Sequence, residues 1–191
     1  MQKVKVIFLD IDGVVATERA LNEKLEEWYG VTSKPMNEMN KIRKDKLKRQ
    51  AYVPNYNMSY WPFDPIAVAY LHRIVRDNED VKFVISSSWR ESTDMKRLEH
   101  VFRLKGLHIP IIGFTRLLDN GDADRGLEIV DWIDTDHGYE VTHWCAIDDM
   151  DITIRRHIGD KLVHTNELIG IEYEEYTLIC KLLDLRQTYV E

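Results

Sequence analysis

Three short strings set polar side chains directly behind apolar runs: Asp10-Ile11-Asp12-Gly13, Ser86-Ser87-Ser88-Trp89-Arg90 and Asp148-Asp149-Met150-Asp151. Carboxylates gathered on one surface repel each other and hold their protons to higher pH unless a cation sits among them. A hard divalent ion with oxygen ligands, Mg²⁺ first among them, resolves that conflict. Singly, each string has an ordinary structural use. A DxDG forms a turn with a permissive glycine, paired acids cap a helix, and serines form turns. Together, in the order acid pair, hydroxyl, base and acid pair, they describe a reaction centre.

The elements that must carry them follow from the apolar pattern. Val4–Leu9, Val81–Ile85, Val141–Ile147 and Lys161–His164 read as strands, with Ile109–Ile112 as a weaker fifth, because they are short, β-branched and bounded by turn formers. Helical patterns lie between them. Asp64-Pro65 caps one helix, Thr93 another that Gly106 ends, and Asp124 a third with Leu127, Val130 and Ile133 inward; Tyr176 to Leu185 forms the last. Strands alternating with helices imply crossover connections, hence an α/β, doubly wound, Rossmann-like and mainly parallel sheet. In such sheets ligands bind at the carboxyl ends of the strands, which is where all three polar strings fall.

The stretch 16–62 breaks the alternation. Its helical patterns, Glu18–Tyr29 and Met36–Arg49, are strongly charged, and we expect a small helical cap inserted after the first strand, with residues 1–15 and 63–191 as the core. At 191 residues the chain suits one domain with an insertion, large enough to bury its own core without a disulfide or structural metal. Cys145 and Cys180 have no metal-ligand spacing and are expected as buried, inert thiols. The first apolar run is broken by Lys3 and Lys5, which speaks against a signal peptide or membrane span, so the expected location is cytoplasmic. A net charge of −7 excludes a surface that coats nucleic acid. Locally the balance reverses: KIRKDKLKR, residues 41–49, carries six bases and one acid, followed by Tyr52, Tyr56, Tyr60 and Trp61. Such a helix is commonly just a solvated face, and such aromatics a small core; together they could also hold a phosphorylated nucleotide or nucleic-acid end by charge and stacking.

FLDIDGVV resembles the first motif of the haloacid-dehalogenase-like (HAD) phosphohydrolases, FVISSSWR the second and WCAIDDMD the fourth. Arg125 stands 23 residues before Asp148, where that superfamily carries Lys or Arg near a helix start. The strings ISSSWR, RGLEIVDWI, FDPIAVAYL and HTNELIG are most similar to HAD domains associated with RNA repair proteins, and the likeness covers about Val4–Ala16 and Phe63–Gly170.

The resemblance implies phosphoryl transfer to an aspartate and then to water. Asp10 would be the nucleophile and Asp12 the general acid and base, with Gly13 supplying the turn. Ser86 would donate to a phosphoryl oxygen. Arg125, an arginine where many relatives use lysine, would hold Asp10 and the phosphate together. Ser87 and Arg90 are candidates for substrate binding, and Arg90 could instead order the loop after the second strand. Mg²⁺ would be held by Asp10, the Asp12 main-chain carbonyl, Asp148 and Asp149, with Asp151 either a further ligand or a helix cap. The expected activity is Mg²⁺-dependent phosphomonoester hydrolysis on a nucleotide or nucleic-acid terminal phosphate. A small-metabolite phosphatase of the same fold and a phosphoacceptor module without turnover are the alternatives.

Overall fold

The computed structural model describes residues 1–29, 61–118 and 124–186. The basic stretch 41–49, the expected helix Met36–Arg49 and Tyr52, Tyr56 and Tyr60 lie outside these residues. Five strands, β1 (Gln2–Leu9), β2 (Val81–Ile85), β3 (Ile111–Phe114), β4 (Tyr139–Asp148) and β5 (Leu162–His164), form one parallel sheet in the order β3-β2-β1-β4-β5. Helices α2 (Pro65–Asp77), α3 (Met95–Leu104) and α6 (Tyr173–Leu182) cover one face, where Leu71, Ile74, Leu98, Phe102 and Ile179 pack on Ile7, Leu9, Phe83 and Ile147. Helices α4 (Arg125–Asp134) and α5 (Ile152–Ile158) cover the other, with Ile129, Ile154 and Ile158 against Val6, Phe8 and Val84. Central β1 is therefore apolar on both faces from Val6 to Leu9, as a strand of a covered parallel sheet must be. Helix α1 (Glu18–Tyr29) opens the insertion after β1. Cys145 and Cys180 are buried, unpaired thiols, and burial pushes Cys145 up to about 12.

Several boundaries differ from the sequence expectation for identifiable reasons. The weak fifth strand begins two residues later, at Ile111, after Pro110, which has no N–H to give a ladder and instead accepts from Phe83 N at 2.9 Å. Asp94, not Thr93, caps α3: its carboxylate accepts from Arg97 N at 2.9 Å and sits favourably at the positive end of the helix. Helix α6 starts three residues before Tyr176 because Glu172 and Glu175 form a reciprocal capping box. The largest difference concerns α4. Leu127, Val130 and Ile133 were the expected inner face, but Gly126, Glu128 and Ile129 are buried instead, Val130 and Ile133 packing at the edge of the core. Turning the helix this way aims Arg125 and Glu128, three residues apart on one face, towards the sheet rim.

A polar knot fastens the root of the insertion. Asp64, fully buried, caps α2 through Ile66 N and accepts from Thr17 Oγ1 at 2.9 Å and from Arg19 Nε and Nη2 at 2.8 and 2.9 Å. Arg19 also donates to Glu172 Oε1 at 2.5 Å, and Asp64 N to Val15 O at 2.7 Å. Burial pushes the Asp64 carboxyl up, but these donors together hold it below the usual carboxylate range.

Candidate active site

The register of the sheet builds the site. Leu9 pairs with Ile85 of β2 and Ile147 of β4, so the next residues, Asp10, Ser86 and Asp148, come side by side. The ladder continues through them: Ser86 N donates to Leu9 O and Asp10 N to Ile147 O, each at 3.0 Å. Beyond the outer strands Thr115 N donates to Ile85 O and Thr165 N to Asp148 O, also at 3.0 Å. Thr115, Ser86, Asp10, Asp148 and Thr165 thus form a row of buried polar residues, one per strand, along the carboxyl edge. The sequence reading did not single out the two threonines. Their signal was the position just behind an apolar run, the same that marks the acids.

One ligand oxygen each from Asp10, Asp148 and Asp149 lies within 4.8 Å of the others. Arg125 crosses from α4 and donates through Nη1 to Asp10 Oδ2 and Asp148 Oδ2, both at 2.8 Å. Burial lowers the proton affinity of this guanidinium, but Asp10 and Asp148 more than offset it, so it stays charged. Asp148 also accepts from Met150 N at 2.9 Å. Burial first, and then the neighbouring Asp10 charge, push Asp148 up to about 7 despite Arg125. Asp149 is raised by the same two causes. Gly13, at φ +70°, lets the chain turn against this acid: a Cβ there would lie 2.4 Å from Asp149 Oδ2.

Asp10 Oδ1 and Ser86 Oγ are buried with no hydrogen-bond partner, an arrangement that costs free energy unless something else occupies the rim. Three clustered carboxylates and a protonation-prone Asp148 fit a hard divalent cation. Asp10, Asp148 and Asp149 are the side chains that could hold it.

Asp12 accepts from the indole Nε1 of Trp89 at 2.9 Å. Burial raises the Asp12 carboxyl, Asp10 and Asp149 adding to it while Trp89 and Arg125 oppose. Trp89 lies in a 3₁₀ turn (Ser88–Ser92) and its own amide donates to the capping Ser87 Oγ at 3.4 Å. Arg90 points inward rather than to solvent. It donates to Ser87 O at 2.7 Å, also to Ser86 O, and pairs with Glu128, whose side chain is wholly buried. The Ser87 hydroxyl and the Arg90 guanidinium are thus engaged in ordering the second polar string. Glu128 was not anticipated, although its spacing of three from Arg125 in the RGLEIVDWI string put it on the same helix face. Asp151 makes no side-chain cap and pairs with Arg155 instead. Beside the acids a cavity of about 220 Å³ is walled by Asp12, Gly13, Glu18, Trp61, Asp149 and Glu167.

A parallel sheet whose central strand ends in a buried aspartate, faced by an acid pair and by the Arg125 guanidinium, defines a phosphohydrolase of the HAD type. The model of a family described as the HAD domain in Swiss Army Knife RNA repair proteins matches residues 6–176, and the chain belongs to that family. No curated protein matches. Among solved structures, the HAD domain of the effector protein Lem4 from Legionella pneumophila is 16% identical over 96% of this chain and 97% of that one, with a TM-score of 0.49. Its inactive mutant is 15% identical with the same TM-score, covering 96% of each chain. Among the described residues no helix is long and apolar enough to cross a membrane.

Proposed function

We propose that the protein is a Mg²⁺-dependent phosphomonoester hydrolase that works through an aspartyl-phosphate on Asp10, and that its substrate is a nucleotide or a nucleic-acid terminal phosphate. The observation that carries the mechanism is the division of labour at Asp10: Oδ2 is held by Arg125 while Oδ1, buried beside the equally unpartnered Ser86 Oγ, has nothing to bind. Oδ1 is free to attack phosphorus, and Ser86 to donate to a phosphoryl oxygen. Arg125 pairs with Asp10, fixing the orientation of the nucleophile, and offers positive charge to the transferring group. Asp12, raised by burial, protonates the departing oxygen and later takes a proton from the attacking water. Mg²⁺ held by Asp10, Asp148, Asp149 and the Asp12 carbonyl would supply charge neutralisation for the phosphoryl oxygens. Arg90 and Ser87 serve by fixing the loop that carries Ser86, and the segment 16–62 serves as a cap.

The substrate assignment is supported by the family's RNA repair setting and by the basic, aromatic composition of residues 41–61. A second reading, a small-metabolite phosphatase, is favoured by Glu18 and Glu167 in the cavity wall, which repel a polyanion. A panel of sugar phosphates, nucleotides and 5′- or 3′-phosphorylated oligonucleotides, with Mg²⁺ or with chelator, separates them. The nucleic-acid reading expects phosphorylated ends to be preferred; equal rates across the panel would overturn it. Full activity in Asp10→Asn would overturn the mechanism itself.

A further inference from the structure

We propose that Trp89 is a positioning residue for proton transfer: its indole N–H holds one oxygen of Asp12 and thereby keeps the exchanged proton on the other. The inference rests on the reading of Asp12 as the group that serves the leaving oxygen, and extends it to a residue outside the acid cluster. The indole nitrogen lies 2.9 Å from Asp12 Oδ2, a bond that ties the turn behind β2 to the turn behind β1. Indole is a donor only. An oxygen facing its N–H must offer a lone pair, so when Asp12 is a neutral acid the proton resides on Oδ1. Unlike a hydroxyl, an imidazole or an ammonium, indole neither accepts that proton nor gives up its own, so it cannot divert the transfer.

The ring is well fixed for this purpose. Trp89 is 3% exposed, its amide is capped by Ser87, and it packs at 6.2 Å against Phe63, which itself meets Phe102 edge-on at 5.3 Å. Phe63 and Asp64 begin the chain's return to the core, so the aromatic packing is anchored to the knot at the insertion root. Asp12 shares a cavity wall with Gly13, Glu18, Trp61, Asp149 and Glu167, and that cavity is the space beside Asp12 where a departing group would sit. In the first half-reaction an Asp10 oxygen bonds to phosphorus as the P–O bond to the leaving group breaks. That bond's electron pair stays on the leaving oxygen, which takes the Oδ1 proton. In the second, Asp12 as carboxylate removes a proton from water, whose oxygen bonds to phosphorus as the Asp10–phosphorus bond breaks.

Leaving-group dependence tests the assignment, because a weakly basic phenolate departs without a proton and an alkoxide does not. Trp89→Phe removes the donor, and site-specific replacement of Trp89 by 3-benzothienylalanine, with sulfur in place of N–H, removes it with the ring shape kept. With Mg²⁺ present, kcat/KM is compared for p-nitrophenyl phosphate and benzyl phosphate. Both variants are expected to lose on the order of tenfold more on benzyl phosphate than on p-nitrophenyl phosphate, within the range general acid catalysis spans. Equal loss on the two substrates, or none in the benzothienyl variant, overturns the role of Trp89. Asp12→Asn is the control: it should show the same selective loss, larger. If Asp12→Asn is selective and the Trp89 variants are not, only this inference fails; if Asp12→Asn is not selective, the reading of Asp12 fails with it.

Discussion

Glu128→Gln should be among the most damaging single substitutions in the chain although Glu128 is not assigned a chemical step. Its side chain is 0% exposed and that of its partner Arg90 is 4% exposed, so neither charge has water to fall back on. Removing the negative charge leaves a guanidinium in the core facing only neutral acceptors, the amide oxygen at position 128 and the Ser86 and Ser87 carbonyls. Breaking a buried pair from one side costs about 3–5 kcal/mol, against a total stability of about 5–15 kcal/mol for a typical domain. For a chain of this size that is a fall in Tm of roughly 6–20 °C. Denaturant unfolding of the wild type, Glu128→Gln, Arg90→Met and the double variant closes a thermodynamic cycle. The expected coupling is at least about 2 kcal/mol, with the double variant more stable than Glu128→Gln alone because no unpaired charge remains. A loss below about 1 kcal/mol, the range of exposed ion pairs, would refute the reasoning that this pair is desolvated.

Three further outcomes follow from the rim and the knot. Asp148 is raised in the folded state, to about 7, so the folded protein holds a proton there that the unfolded chain releases near pH 4; metal-free stability should therefore fall as pH rises from about 4 to 7, by on the order of 1 kcal/mol per pH unit, and saturating Mg²⁺ should flatten that slope in thermal melts. Gly13→Ala meets both a φ of +70° and Asp149 Oδ2 at 2.4 Å, so Mg²⁺ titration should find weakened binding and the melt a cost of about 1–3 kcal/mol. Asp64→Ala removes a helix cap, leaves the Thr17 hydroxyl proton without its acceptor and takes two of the bonds of Arg19, and unfolding should register a loss of about 2 kcal/mol or more.

The acids and the serine at the rim were legible because β-branched runs announce parallel strands, and a parallel sheet delivers whatever follows its strands to one edge. Asp10, Ser86 and Asp148 needed no more than that. The face of α4 was not legible, since its apolar residues suggested one inner stripe while Arg125 and Glu128 required another, and a pattern of hydrophobicity carries no information about a buried ion pair. Arg90 was open between the substrate and the loop for the same reason: its partner Glu128 lies 38 positions away and is identified only by the packing of α4 over β2. Trp89 is a buried core aromatic, and its hydrogen bond to Asp12 depends on where two turns meet, which no local pattern encodes.

The knot of Thr17, Arg19, Asp64 and Glu172 bears on how such a chain can change over generations. The outgoing and returning ends of the insertion are clasped at one buried carboxylate, so the length and composition of the sequence between them can drift while those ends stay fixed to the core. Selectivity can then be revised by exchanging what lies beyond the clasp, with the reacting groups inherited intact.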